Sequence, residues 1–176
     1  MTNFTTIEYL KLGNQRQQKA YQELKALKIF ENLKTYHPIL TGTIPIDIDI
    51  RDSDLDIICQ CKNHIEFSTR LSELFADKTG FEIRTYDRHG VECTTAKFRG
   101  KHFEIEIFGQ DIPVKEQNAY RHMIIEDNIL KSKGPAFRSK IRKLKSEGLK
   151  TEPAFAKLLG LSGDPYKALL KIDLFN

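Results

Sequence analysis

No stretch of the 176 residues is long and apolar enough to span a membrane, and Met1–Leu10 has no basic-then-apolar leader. A soluble, cytoplasmic protein is expected. Cysteine is scarce: Cys59, Cys61 and Cys93 are odd in number and irregular in spacing, which argues against a secreted disulfide framework and fits a reducing compartment. The five histidines form no His-Glu-x-x-His pair, and Cys59-x-Cys61 lacks the spacing of a zinc knuckle. An EF-hand starting at Asp47 fails, because its sixth and twelfth positions hold Asp52 and Ile58 where glycine and glutamate are required. A Gly-x-Ser-x-Gly elbow and a Walker loop are both missing, which removes the commonest hydrolase and P-loop chemistries.

What is present suffices for one compact unit. Hydrophobic residues make up 40% of the chain, and no internal repeat or low-complexity segment interrupts it. The net charge of +4 is unevenly spread. Residues 113–176 carry 13 basic and 7 acidic side chains, against 15 and 17 in residues 1–112. Arg138, Lys140, Arg142, Lys143 and Lys145 concentrate this excess on one predicted helix, either as a solvated face or as a track for an anionic acceptor such as RNA.

Periodicity predicts a helix over 15–34, with Ala20, Leu24 and Leu27 on one face, then an extended run over 36–40 closing at Gly42. Asn63 and Glu66 have the spacing of a capping box ahead of Phe67, Leu71, Leu74 and Phe75. Three extended segments, 81–86, 91–98 and 103–108, read as antiparallel neighbours divided by His89-Gly90 and Arg99-Gly100. From Lys115 onward the pattern is helical, broken at Gly134-Pro135 and Gly148. Thr151-Glu152-Pro153 and Asp164-Pro165 mark two further starts, and Tyr166, Leu169 and Leu170 are expected to face inward.

Chemistry concentrates between Gly42 and Asp56. Asp54 and Asp56 flank Leu55 at the start of a strand, so both carboxylates point the same way, about 6–7 Å apart along the backbone. Such a pair suits a hard divalent cation shared with a phosphorylated substrate. Glu104 and Glu106 alternate with Phe103, Ile105 and Ile107, and compete to supply a third carboxylate able to take a proton from an attacking hydroxyl. Glycine at 42 lets backbone amides approach phosphate oxygens, and a hydroxyl at 43 can donate to them. Arg51 pairs with the acidic turn or contacts phosphate. Gln117, Tyr120, Arg121 and His122 mix polar and aromatic groups of the kind that hold a nucleobase.

Gly42-Thr43, ten intervening residues ending in Ser53, then Asp54-Leu55-Asp56 and a later apolar-acid-apolar strand resemble the nucleotidyltransferase superfamily that includes DNA polymerase beta and the aminoglycoside nucleotidyltransferases. Nearly the whole chain, notably 42–59, 108–123 and 149–170, is also similar to an uncharacterised bacterial group described as nucleotidyltransferase-like. The resemblance implies an α+β fold, a mixed sheet packed with helices over residues 1–113 followed by a C-terminal helical part over 114–176. It implies transfer of a nucleoside monophosphate from a nucleoside triphosphate to a hydroxyl acceptor, a small molecule or RNA. In that scheme Gly42, Thr43, Ser53 and Arg51 bind nucleotide, Asp54, Asp56 and Glu106 hold Mg²⁺ or Mn²⁺, and Asp54, Asp56 with Glu104 or Glu106 form the catalytic set. The chain departs from the superfamily in having Thr43 where Gly or Ser is usual, and in carrying Asp47, Asp49 and Asp52 between the two halves of the motif. Loss of catalysis with retention of the fold would leave a module that binds nucleotide or nucleic acid.

Overall fold

The computed structural model describes residues 2–172. Its centre is a five-stranded mixed sheet in the order β1-β2-β5-β4-β3. The strands are β1 (Ile39–Thr41), β2 (Leu55–Gln60), β3 (Glu82–Arg88), β4 (Val91–Arg99) and β5 (Glu104–Gln110). β2 and β5 run parallel, and every other neighbouring pair is antiparallel. The hairpin between β3 and β4 turns at His89-Gly90, both with positive φ, which matches the right-handed twist of the flanking strands.

β2 carries Leu55, Ile57, Ile58 and Cys59 fully buried, as expected of a strand covered on both faces. Beneath it lie α1 (Gln15–Ala26) and α3 (His64–Phe75), which contribute Leu24, Phe67 and Leu71 to a core shared with Ile57, Ile105 and Ile107. A second core joins Ile46 and Ile48, from the loop before β2, to Met123, Ile141, Phe155 and Leu169 of the C-terminal helices. Those helices are α4 (Asn118–Ser146), α5 (Thr151–Leu159) and α6 (Pro165–Leu170), the helical part expected after the sheet. Among the described residues no helix is long and apolar enough to cross a membrane.

Local departures from expectation have local causes. The helix expected over 15–34 stops at Ala26: Lys28 takes a left-handed conformation and a short α2 (Ile29–Asn32) turns Ile29 and Leu33 into the core. Residues 34–36 form a 3-10 turn, so the extended run begins only at Ile39, after Pro38. The Asn63 side chain accepts from the Glu66 amide without a reciprocal bond, whereas Asn14 and Gln17 form a complete capping box. α4 begins at Asn118 and kinks at Gly134 (φ 77°, ψ −173°), then continues through Pro135 in a new direction. α5 is capped by Lys150 with no side-chain bond, not by Thr151. At α6, Asp164 does cap the Lys167 amide ahead of Pro165. Tyr166 is 37% exposed, not inward-facing.

The contact between α3 and the sheet is close enough to require a glycine on β5. A Cβ added at Gly109 would lie 2.3 Å from Phe67 Cε1 and 3.0 Å from Cys61 Sγ. Gly109→Ala is expected to destabilise the protein by about 1–3 kcal/mol through overpacking, read as a lower urea midpoint with an unchanged slope.

Candidate active site

Leu40-Thr41 of β1 pairs with β2 so that Thr41 lies opposite Asp56, and the chain then turns sharply at Gly42. Gly42 has φ +80°, and a Cβ there would stand 2.4 Å from Asp56 Oδ2. Glycine is thus demanded twice, by backbone conformation and by the carboxylate seated against the turn. Thr43 Oγ1 lies 3.3 Å from Ser53 Oγ, which itself accepts from the Ile50 amide at 3.0 Å. The two ends of the intervening loop are therefore held together beside the carboxylates.

Asp54 stands just before β2 and Asp56 within it. Parallel pairing with β5 sets Asp56 directly opposite Glu106. Residues in register project to the same face, so the three carboxylates share one side of the sheet. Glu104 and Glu106 differ in exposure. Glu106 is half-buried and borders the same cleft as the two aspartates, while Glu104 is exposed 3.9 Å from Arg99. Glu106 is not free, since Lys97, opposite it on β4, approaches to 2.5 Å. Arg51 is exposed and borders no part of the cleft.

Burial pushes the Asp56 carboxyl up to about 7, and the nearby charges of Asp54 and Glu106 push in the same direction. Asp54 is raised too, by burial first and Glu106 after it. Among the described residues no lysine or arginine ion-pairs with either aspartate. No group of three His, Cys, Asp or Glu among those residues forms a ready metal cage. Mg²⁺, however, is commonly held by one or two carboxylates plus substrate phosphates, and two crowded, uncompensated aspartates fit that donor set.

The cleft has a volume of about 1040 Å³, and its second wall is helical. Gln117 is 2% exposed and donates through Nε2 to Cys59 O and Ile112 O, both at 2.9 Å. Its Oε1 is buried without a partner and can act only as an acceptor. Glu126, 4% exposed, likewise has a partnerless buried Oε1; burial, then Glu152, holds its carboxyl well above the usual range. Lys145 Nζ donates to Ile48 O at 3.0 Å, and burial lowers its ammonium to about 8 against the opposing pull of Glu126 and Asp49. His122 lies between Tyr166 O, 2.9 Å from Nε2, and Glu152, 3.6 Å from Nδ1. Of the four residues singled out for a nucleobase, Gln117 and His122 border the cleft. Arg121 is exposed and Tyr120 packs against the second core.

The basic helix is not an open track. Arg138, Arg142 and Lys145 turn onto residues 46–48, leaving only Lys140 and Lys143 of the five exposed to solvent. The sequence did not point to Glu126 or Lys145 as parts of the cleft, nor to Lys97 as the partner of Glu106. Glu126 falls with Asp127 and Asn128 between the apolar groups 123–125 and 129–130.

A family model described as "Domain of unknown function (DUF4269)" matches residues 22–172. No curated protein matches the chain. Among solved structures, Cid1 poly(U) polymerase with MgGTP bound superposes with a TM-score of 0.54 at 12% identity over 73% of this chain and 41% of that one. A Cid1 structure described for its RNA terminal uridylyl transferase activity gives 0.55 at 10% identity over 80% and 47%. A cytoplasmic RNA terminal U-transferase gives 0.52 at 15% over 76% and 39%. The chain spans less than half the length of these structures. At such identities the likeness shows the fold, which is nucleotidyltransferase-like.

The raised Asp56 carboxyl has a consequence for stability. Between about pH 4 and 7 the folded protein keeps a proton that the unfolded chain has released, so stability is lost as pH rises across that interval. In the presence of a chelator, Asp56→Asn is expected to raise the melting temperature at pH 8 by at least about 3 °C, the gain shrinking as pH falls to 4. Scanning calorimetry of both proteins across that range checks it.

Proposed function

The chain belongs to the DUF4269 family, whose description carries no chemistry, and we propose from its cleft that it moves a nucleoside monophosphate from a nucleoside triphosphate to a hydroxyl-bearing acceptor. The observation that carries this reading is the gathering of Asp54, Asp56 and Glu106 on one sheet face beside the Gly42-Thr43 turn, all bordering one cleft. Asp54 and Asp56 would hold Mg²⁺ or Mn²⁺, which when bound offsets charge on the triphosphate and its leaving pyrophosphate. The turn at Gly42 admits a phosphate close to backbone amides, and the hydroxyls of Thr43 and Ser53 are placed to donate to it. Lys145 contributes positive charge on the opposite wall, and Gln117 Oε1 offers an acceptor to the nucleoside. Glu106 is the group to receive the proton of the attacking hydroxyl, once Lys97 yields it.

The Lys97–Glu106 pair also supports a second reading, a module that binds nucleotide but does not turn it over. The cleft slightly exceeds the usual size of a small-ligand pocket, leaving room for a triphosphate and part of an acceptor. With Arg138, Arg142 and Lys145 committed to the loop, fewer cations of α4 are free to draw RNA in preference to a small hydroxylated acceptor.

Nucleoside triphosphate is expected to bind only with Mg²⁺ or Mn²⁺ and to raise the melting temperature when it does. Asp54→Asn combined with Asp56→Asn should remove that cation-dependent binding and lower pyrophosphate release at least about 100-fold, the fold being retained by circular dichroism. Incubation with each triphosphate and a small-molecule extract, followed by mass spectrometry, identifies the acceptor. Binding without pyrophosphate release under every condition supports the noncatalytic reading, and no binding at all overturns both.

A further inference from the structure

We infer that Arg138, Arg142 and Lys145 are positioning residues, a clamp on the loop that joins the two halves of the nucleotide site. The inference rests on the nucleotidyltransferase reading above. Spaced i, i+4 and i+7, the three cations share one face of α4 beyond its kink at Gly134. Arg138 donates to Ile46 O and, at 3.0 Å, to Asp47 O. Arg142 donates to Asp47 O at 2.6 Å and to Asp47 Oδ1, and Lys145 donates to Ile48 O at 3.0 Å. Successive carbonyls of the loop are thus taken by successive turns of one helix.

The first turns of α1 grip the same loop from the other side. Gln17 Nε2 donates to Ile44 O at 2.8 Å, and Asn14 Nδ2 donates to Asp47 Oδ1 at 2.6 Å. Arg16 donates to Arg51 O and Ser53 O at 2.8 and 3.0 Å and ion-pairs with Asp49. Asp47, with φ +59°, adopts a left-handed conformation costly for a residue with a side chain, and sits where both sets of donors meet. The loop's aspartates 47 and 49 are therefore paired with arginine and border no part of the cleft.

Ile46 and Ile48 already anchor the loop in the second core by apolar packing. The cations add orientation: they fix how the backbone runs from Thr43 to Ser53, and so how Gly42-Thr43 stands relative to Asp54 and Asp56. Reacting groups displaced by about 1 Å commonly lose on the order of 100-fold in rate, so small slips at this clamp are costly.

The test uses Arg142, which borders no part of the cleft. Arg142→Ala is expected to weaken Mg²⁺-dependent nucleotide binding about 10- to 100-fold and to speed amide exchange in residues 43–53, leaving exchange in β4 and β5 unchanged. Arg142→Lys should recover only part of the affinity, since an ammonium cannot fork between a carbonyl and a carboxylate. Millimolar guanidinium should restore affinity to the alanine variant alone. Faster loop exchange with unaltered nucleotide affinity overturns the inference and leaves the function intact, as does faster exchange throughout the sheet. Failure of the wild-type protein to bind any triphosphate overturns the function and this inference with it.

Discussion

Like charges held close together in a poorly hydrated place repel, and the protein must contain that repulsion or let a ligand relieve it. Asp54, Asp56 and Glu106 stand on one face of two parallel strands, and burial alone already disfavours the ionised form of the first two. Every neighbouring feature bears on this. The turn at Gly42 has no Cβ because an Asp56 oxygen occupies the place, and Lys97 partners Glu106 from the adjacent strand. Among the described residues no lysine or arginine ion-pairs with either aspartate, and the more distant Lys97 and Lys145 offset their charge only in part, which is the condition that makes a divalent ion useful there.

Part of the surrounding charge is compensated at the loop itself. Three more aspartates lie in the loop between Thr43 and Asp54. Asp47 and Asp49 are bound by arginines from α1 and α4, whereas Asp52 is exposed and borders the cleft. Without those arginines the loop would add its own negative field to the cleft. The contacts from α4 tie that helix to the loop behind the aspartates. The polar groups left over, Gln117 Oε1 and Glu126 Oε1, are buried without partners on the helical wall of the cleft. In a well-satisfied interior such orphans are uncommon, and both border the space a ligand would fill.

Contiguous features were legible in the chain and distant ones were not. Gly42-Thr43 and Asp54-x-Asp56 could be read as one site because a turn and an alternating strand are local arrangements. Glu104 and Glu106 could not be told apart, since alternation places both on one face and only register with β2 brings Glu106 opposite Asp56. The cations of α4 were misjudged for a related reason: helical spacing says that 138, 142 and 145 share a side, but not that the kink at Gly134 aims this side at the loop. The helix expected over 15–34 failed at Lys28, where burial of Ile29 and Leu33 outweighed helix propensity.

The order of residues alone determined most of the helical and extended segments, the glycine turn at 42 and the paired aspartates, because each depends on neighbours within a few positions and on periodicities of two or 3.6. Folding in three dimensions decided which glutamate joins them, which lysine binds it, and where the basic helix spends its charge. Those outcomes depend on strand pairing and helix direction across as many as 97 positions of sequence, as between Lys145 and Ile48. Coulomb forces and hydrogen bonds act over a few ångströms of space, and only the packed chain brings such partners within that reach.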